Sequence, residues 1–500
     1  MGRGGARSES ASAVSDGKRP SVFPLAAGAF IGLRLLVLAT GWRTYTYTDS
    51  GELRSAPGYA DLPHVSFTGQ AQRPPIVPAF YAVLRTDEAR VLGQVVVSVG
   101  AWLVLAAVVA GLIRERRVRI AAVGWVLCAG ATRSVTNWDF AILTESLAIS
   151  ALCLALAAWL WFASTPTVRR GAVVVVATAG LALIRLEVVV VLPVLAAGVG
   201  AVAVVAARRT PDGDTARSSA EGWAFVAMGM LLVTGWGLAV ARGNEDVSAG
   251  RVRGMGRAAE NVSQVVRVRV VHDPEVLETM TAMGMPRPEG LIALRARGVT
   301  GEEEFAAMVA DPEFVSWASA SGPPTLLRHS FVHPQLFPRQ FARELPALLV
   351  PPDAKGAAYA DSASVLPGPI EAVFTPTAES WPLPGPPVLC AVPVFAMALA
   401  RCRRRTPVKA PFFVALGTVP VLLSLLFIGW LVSAMELVRH SVPFVMLLTV
   451  MAMVAALLLL DAAMNGPAPS SAGDAPESIA AAADMDDDAT PEDNLTKRSS

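Results

Sequence analysis

The sequence predicts an all-α, polytopic membrane protein with about ten transmembrane helices and one large extracytoplasmic segment. Three observations predict it. Hydrophobic residues make up 53% of the 500 positions and charged residues only 17%, with a mean hydropathy of +0.49, an apolar excess too large for a soluble globule of this length. Apolar runs of spanning or near-spanning length recur along the chain. The basic clusters between them fall almost entirely on one side, as the positive-inside rule requires.

The first 22 residues are polar and basic and precede an apolar run over 23–42, which is too long for a signal-peptide core and is read as a retained first helix. Further runs occupy 91–113, 120–135, 140–163, 171–185, 188–207, 222–241, 386–400, 410–433 and 440–461. Those at 120–135 and 171–185 are short for a bilayer that needs about 20 helical residues, so tilt, re-entry or shielding by neighbours is expected there. With the N-terminus inside, the cytoplasmic turns receive Arg114-Glu115-Arg116-Arg117-Val118-Arg119, Arg169-Arg170, Arg208-Arg209 with Arg217, and Arg401 with Arg403 to Arg405 and Lys409. The expected organisation is a cytoplasmic tail (1–22), a seven-helix membrane module (23–241), an extracytoplasmic segment (242–385), three C-terminal spans (386–462) and an acidic tail (463–500). Both termini are then cytoplasmic, in a multi-pass protein of the cell membrane.

The long segment mixes charged and apolar stretches with Pro and Gly punctuation, notably Gly385-Pro386-Pro387. It is expected to form a small helical domain, with amphipathic helices over 301–318 and 335–349, the second at the membrane surface. The last segment, with Asp486-Asp487-Asp488, has the composition of a disordered tail. A net charge of +1 without a basic patch argues against a nucleic-acid partner. No Walker or dinucleotide glycine motif is present, which argues against ATP-driven transport by this chain alone. The four cysteines show no metal-ligand spacing.

Ionisable residues at or within helix ends are costly in a bilayer and mark candidate sites. Here they converge on the extracytoplasmic face. The first outer loop carries Tyr45-Thr46-Tyr47-Thr48-Asp49-Ser50-Gly51-Glu52, where Asp49 and Glu52 either form a capping box or supply a general base. The second is expected to be a short loop over 133–139 containing Asn137-Trp138-Asp139, followed by Leu143-Thr144-Glu145-Ser146. Glu145 then lies one or two turns inside an apolar helix. Arg185 and Glu187 are the only charges between Arg170 and Arg208. They either mark the turn of a hairpin or place a guanidinium for a phosphate. Arg439-His440, at the mouth of the last helix, either snorkel to the interface or bind an anion.

These features together resemble the GT-C superfamily of membrane glycosyltransferases. The similarity rests on the acidic first outer loop (Asp49, Glu52) followed by Arg73-Pro74-Pro75-Ile76-Val77-Pro78, a Leu-Thr-Glu-Ser-Leu opening to the fourth helix, an apolar hairpin broken at Arg185, and Arg439-His440-Ser441-Val442-Pro443 before a late helix. It covers about residues 20 to 240 well and 386 to 460 loosely. Asp49 and Glu52 are three apart, where members of the superfamily can have adjacent acids.

The resemblance implies an inverting transfer of a sugar from a polyprenyl-phosphate carrier to an envelope glycan, lipid or protein acceptor. It makes Asp49 the base that deprotonates the acceptor, and Arg185, Arg439 and His440 the groups that meet the donor phosphate. Glu52 becomes a supporting acid, and Asp139 and Glu145 position a sugar hydroxyl, orient the partners of Asp49 or hold a divalent cation. No other cofactor is expected beyond the lipid-linked sugar as co-substrate. The alternatives are a transporter or flippase of a lipid-linked glycan, and a noncatalytic envelope scaffold on the same frame.

Overall fold

In the computed structural model the described residues are 22–41, 74–209, 214–249, 256–297, 301–349, 366, 368–370, 410–432 and 437–465. Every regular element among them is a helix, and the protein is a multi-pass membrane protein. The helices of the apolar bundle are α1 (Val22–Gly41), α3 (Asp87–Leu112), the bent pair α4 (Arg116–Gly130) and α5 (Arg133–Phe140), α6 (Glu145–Ser164), α7 (Val168–Ala182), α8 (Leu192–Arg209), α9 (Asp214–Ala249), α17 (Ala410–Val432) and α18 (Leu437–Met464). A short helix α2 (Ile76–Val83) precedes α3, and a 3₁₀ turn over Leu186–Val190 links α7 to α8.

Six of these helices, α1, α3, α6, α9, α17 and α18, are long and apolar enough to cross a bilayer, and the bent pair makes up to seven. The run at 120–135 is a helix pair bent by 42° rather than one straight span. The helix over 171–185 has 15 residues, about 22 Å at 1.5 Å per residue and well under a 30 Å hydrocarbon core. The run at 386–400 lies outside the described residues. Packing sets α6 and α18 at the centre: 78% of each span is buried, against 17% of α1. α6 packs on α3, α7, α17 and α18, and α9 on α7 and α8.

The two ends of the bundle differ chemically. At one end Asp461 of α18 accepts hydrogen bonds from the backbone N–H of Arg114 (3.0 Å) and Glu115 (2.7 Å), the turn between α3 and α4. The carboxylate thereby satisfies amide groups that the start of α4 leaves over, in the midst of Arg114, Arg116, Arg117 and Arg119. At the opposite end lie the start of α6, the end of α7 and the end of α17.

A helical segment docks on that second end. It comprises α10 (Arg257–Val265) continued by a π-helical turn (Val266–Val270), α11 (Pro274–Ala282), α12 (Glu289–Arg297), α13 (Glu302–Ala310), α14 (Pro312–Ala320), α15 (Gly322–Val332) and α16 (Phe337–Leu349). The amphipathic stretch expected over 301–318 is two helices, because Pro312 has no N–H to donate. Asp311 instead adopts extended backbone and caps the next helix, accepting from the N–H of Phe314 at 2.9 Å. Asp273-Pro274 starts α11 in the same way.

The segment has its own core, built from Val266, Met280, Leu294, Met308, Phe314 and Phe337, which runs on to Trp430 of α17. Arg269 stacks on the Trp430 ring at 4.2 Å, and the indole N–H donates to Glu344 at 2.6 Å. Burial of its guanidinium pulls the Arg269 pKa down to about 10, against the opposing pull of Glu344. Phe341 adds edge contacts to Phe427 and Trp430.

Candidate functional site

The site is built around the start of α6. The residues expected to form an outer loop over 133–139 are the helix α5, with Val135 to Phe140 buried. A polar Asn-Trp-Asp stretch would signal a loop if it faced water, but here Asp139 has a buried partner. Arg34 of α1, 3% exposed, forms an ion pair with Asp139 Oδ2 and also donates to the carbonyl of Gly130 at 3.2 Å. Ser146 Oγ donates to Asp139 Oδ1 at 2.5 Å. Both carboxylate oxygens are thus engaged, by α1 on one side and α6 on the other. Gly130 is required at this junction: a Cβ there would meet the Trp102 ring at 2.6 Å.

The bend over 141–144 that leads into α6 is held from α3 and α2. Gln94 Nε2 donates to the carbonyls of Asp139 and Ala141, each at 2.9 Å. This fixes the amide orientation and turns Gln94 Oε1 toward Tyr81, whose hydroxyl lies 2.6 Å from it and 2.7 Å from the carbonyl of Leu143. Gln94 and Tyr81 are both fully buried. They serve backbone groups that the bend removes from helical pairing and the bilayer cannot hydrate.

Glu145 is the first residue of α6 rather than one or two turns inside it, so its carboxylate sits against the positive helix end. It is 0% exposed and pairs with Arg185 Nη2 at 3.2 Å. Arg185 occupies the break after α7, in extended backbone, and its Nη1 also reaches Glu187 at 3.5 Å. The guanidinium expected to face a phosphate therefore stands between two carboxylates. Because Glu145 and Ser146 are neighbours, the Arg34–Asp139 and Arg185–Glu145 pairs adjoin through the first turn of α6.

Of the residues expected to converge, the structure brings Asp139, Glu145 and Arg185 together. Asp49 and Glu52 lie outside the described residues. Arg439 and His440 fall in the first turn of α18, but their side chains lie outside the described atoms. No group of three or more His, Cys, Asp or Glu side chains is arranged for a metal ion among the described residues. Arg34, Gln94 and Tyr81 were not singled out from the sequence. Arg34 could have been, since it is the only charge between Arg19 and Arg43, by the same cost argument that selects Glu145.

An apolar groove of about 780 Å³ leads away from this cluster along the membrane helices. Leu147, Ala151, Leu154, Ala158 and Trp161 of α6 form one wall, and Val97, Val104 and Val108 of α3 with Val173, Val176 and Gly180 of α7 form the others. Its length along α6, from Leu147 to Trp161, is about 21 Å at 1.5 Å per residue. Ile184 lines its polar-site end, next to Arg185, and Leu147 there lies two residues from Glu145. In comparisons with protein-family models, curated proteins and solved structures, nothing matches this chain.

Proposed function

We propose that the protein is a GT-C-like membrane glycosyltransferase, which moves a sugar from a polyprenyl-phosphate carrier to an envelope acceptor. The observation that carries the reading is the apolar groove one end of which is lined by Ile184 and Leu147, the sequence neighbours of the buried Arg185–Glu145 pair. A long isoprenoid tail needs an apolar slot open to the bilayer, and Val104, Leu154, Trp161, Val173 and Val176 on its walls are all more than a third exposed. A phosphate needs a cation at the end of that slot. Arg185 would meet it by exchanging one of its two carboxylate contacts for the lipid phosphate.

Within this reading Asp139 does not react. It ties α1 to α6 through Arg34 and Ser146, and Glu145 aims Arg185. The proton-accepting carboxylate is Asp49, eight residues beyond the end of α1, the helix that carries Arg34. The base removes the acceptor proton as positive charge develops at the anomeric carbon, and Arg185 with Arg439 and His440 offsets charge on the departing phosphate. The arginine-rich turn around Asp461, at the end away from the cluster, supports cytoplasmic termini and an extracytoplasmic site. Ten spans follow if the bent pair, α7, α8 and the run at 386–400 each count.

A photoreactive polyprenyl phosphate, added to the protein in nanodiscs, tests the reading. Adducts should map to Ala151, Leu154, Trp161 or Val176, and Arg185→Gln should reduce their yield several-fold. Uniform labelling over the lipid-facing surface, indifferent to Arg185, would remove the groove from the account.

A further inference from the structure

Helix α15 is built inside out. Its buried side carries Gly322, Thr325, His329 and Ser330, with Leu326 as the one large apolar residue. Its other side leaves Leu327 50% exposed, Phe331 77% and Val332 56%. The rotation of the helix is fixed by specific contacts. A Cβ on Gly322 would meet Val262 Cγ1 of α10 at 2.8 Å, so the buried side presses directly on its neighbour. His329 Nε2 is hydrogen-bonded to Thr279 Oγ1 of α11 at 2.7 Å, while Ser330 Oγ is satisfied within the helix by the Leu326 carbonyl at 3.0 Å. The polar side is therefore the one this fold holds inward, and the apolar side is left for another medium.

Position and charge identify that medium. Phe331 lies two residues beyond His329, whose ring packs 4.7 Å from Phe337. Phe337 in turn sits 6.2 Å from Trp430, two residues before the end of the membrane helix α17. The corner between α15 and α16 thus stands where α17 finishes its crossing. Arg328 on the exposed side of α15, and Arg339 and Arg343 one turn apart on α16, are all exposed. Apolar side chains flanked by basic ones, at the level of a span's end, have the composition of an interfacial membrane contact.

We infer that the α15–α16 corner rests on the same bilayer that the bundle crosses. Leu327, Phe331 and Val332 enter the boundary between headgroups and acyl chains, and Arg328, Arg339 and Arg343 meet lipid phosphates. The bilayer then acts as a third support for the helical segment, beside its own core and the Trp430 contact. The inference goes beyond the transfer reaction and does not depend on it.

The test uses the full-length chain with Cys128, Cys153, Cys390 and Cys402 replaced by Ala. A nitroxide is attached at Phe331→Cys, at Leu327→Cys or, as an exposed control, at Glu303→Cys. The protein is reconstituted in phosphatidylcholine vesicles with or without phosphatidylglycerol. Collisional access to oxygen should exceed access to a water-soluble nickel chelate several-fold at positions 327 and 331, and the order should reverse at 303. Adding phosphatidylglycerol should deepen the label at 331, and Arg328→Gln/Arg339→Gln/Arg343→Gln should abolish that response. Nickel access at 331 equal to that at 303 would overturn the inference, as would shielding from both reagents, which marks a protein-covered surface. p-Benzoylphenylalanine in place of Phe331 in the otherwise native chain gives a second measurement. Phospholipid adducts support the contact, and adducts with protein alone count against it.

Discussion

Replacing Arg34 with Met should destabilise the protein by about 3–5 kcal/mol, the usual cost of removing one partner from a buried ion pair. The size follows from what is left behind. Asp139 is 1% exposed, and without Arg34 it has no counter-charge and relies on neutral donors such as the Ser146 hydroxyl, while the Gly130 carbonyl loses its guanidinium donor. Asp139→Asn alone should be costly too, because the guanidinium then loses its counter-charge. The double variant Arg34→Met/Asp139→Asn contains neither buried charge, and replacing both members of a buried pair is often close to neutral. It should be more stable than the sum of the single changes predicts, by about 1–3 kcal/mol of coupling. Reversible unfolding of the purified protein by SDS in mixed micelles would measure all four states. Additivity to within about 0.5 kcal/mol would show that the two groups do not act as a pair.

Three further outcomes are expected. Gln94→Leu should cost about 1–3 kcal/mol by removing the amide that donates to the carbonyls of Asp139 and Ala141, while the Tyr81 hydroxyl keeps the Leu143 carbonyl, measured by the same unfolding assay. Burial, with His333 nearby and Asp273 opposing, holds the His329 pKa down to about 4 from 6.5. The unfolded chain therefore takes up the proton first, and this contribution to stability is present in full above pH 6.5 and is lost as pH falls from there toward 4. His329→Gln should flatten that part of the stability–pH curve, and an unchanged slope would exclude His329 as its source. Asp461→Ala should lower the melting temperature by removing the acceptor for two backbone N–H groups, whereas Asp461→Asn, which keeps an acceptor oxygen, should recover much of it.

The helical membrane character was legible because span length and arginine placement are properties of the sequence alone. The site was legible only in part. Glu145 and Arg185 stood out as isolated charges in apolar surroundings, but their mutual pairing spans 40 residues, and no local pattern announces it. Asp139 has the sequence signature of a loop residue because a buried carboxylate and a solvated one look alike until the partner is known. That partner, Arg34, lies 105 residues away in a helix read only as a span. Gln94 and Tyr81 carry no charge to draw notice, and their role exists only once the 141–144 bend needs donors and acceptors. The inside-out arrangement of α15 is similarly invisible, since both of its sides are plausible helix faces until packing against Val262 and Thr279 selects one.

We propose that this chain transfers sugar from a lipid phosphate with Asp49 as the carboxylate base. The most direct measurement is the transfer rate from a defined polyprenyl-phosphate sugar to an extracted envelope acceptor, for the native protein and for Asp49→Asn in nanodiscs, with unfolding followed in parallel. The account predicts transfer by the native protein and a rate lower by roughly 100- to 10,000-fold in Asp49→Asn, with folding intact. Folded Asp49→Asn protein that transfers sugar at the native rate would contradict it.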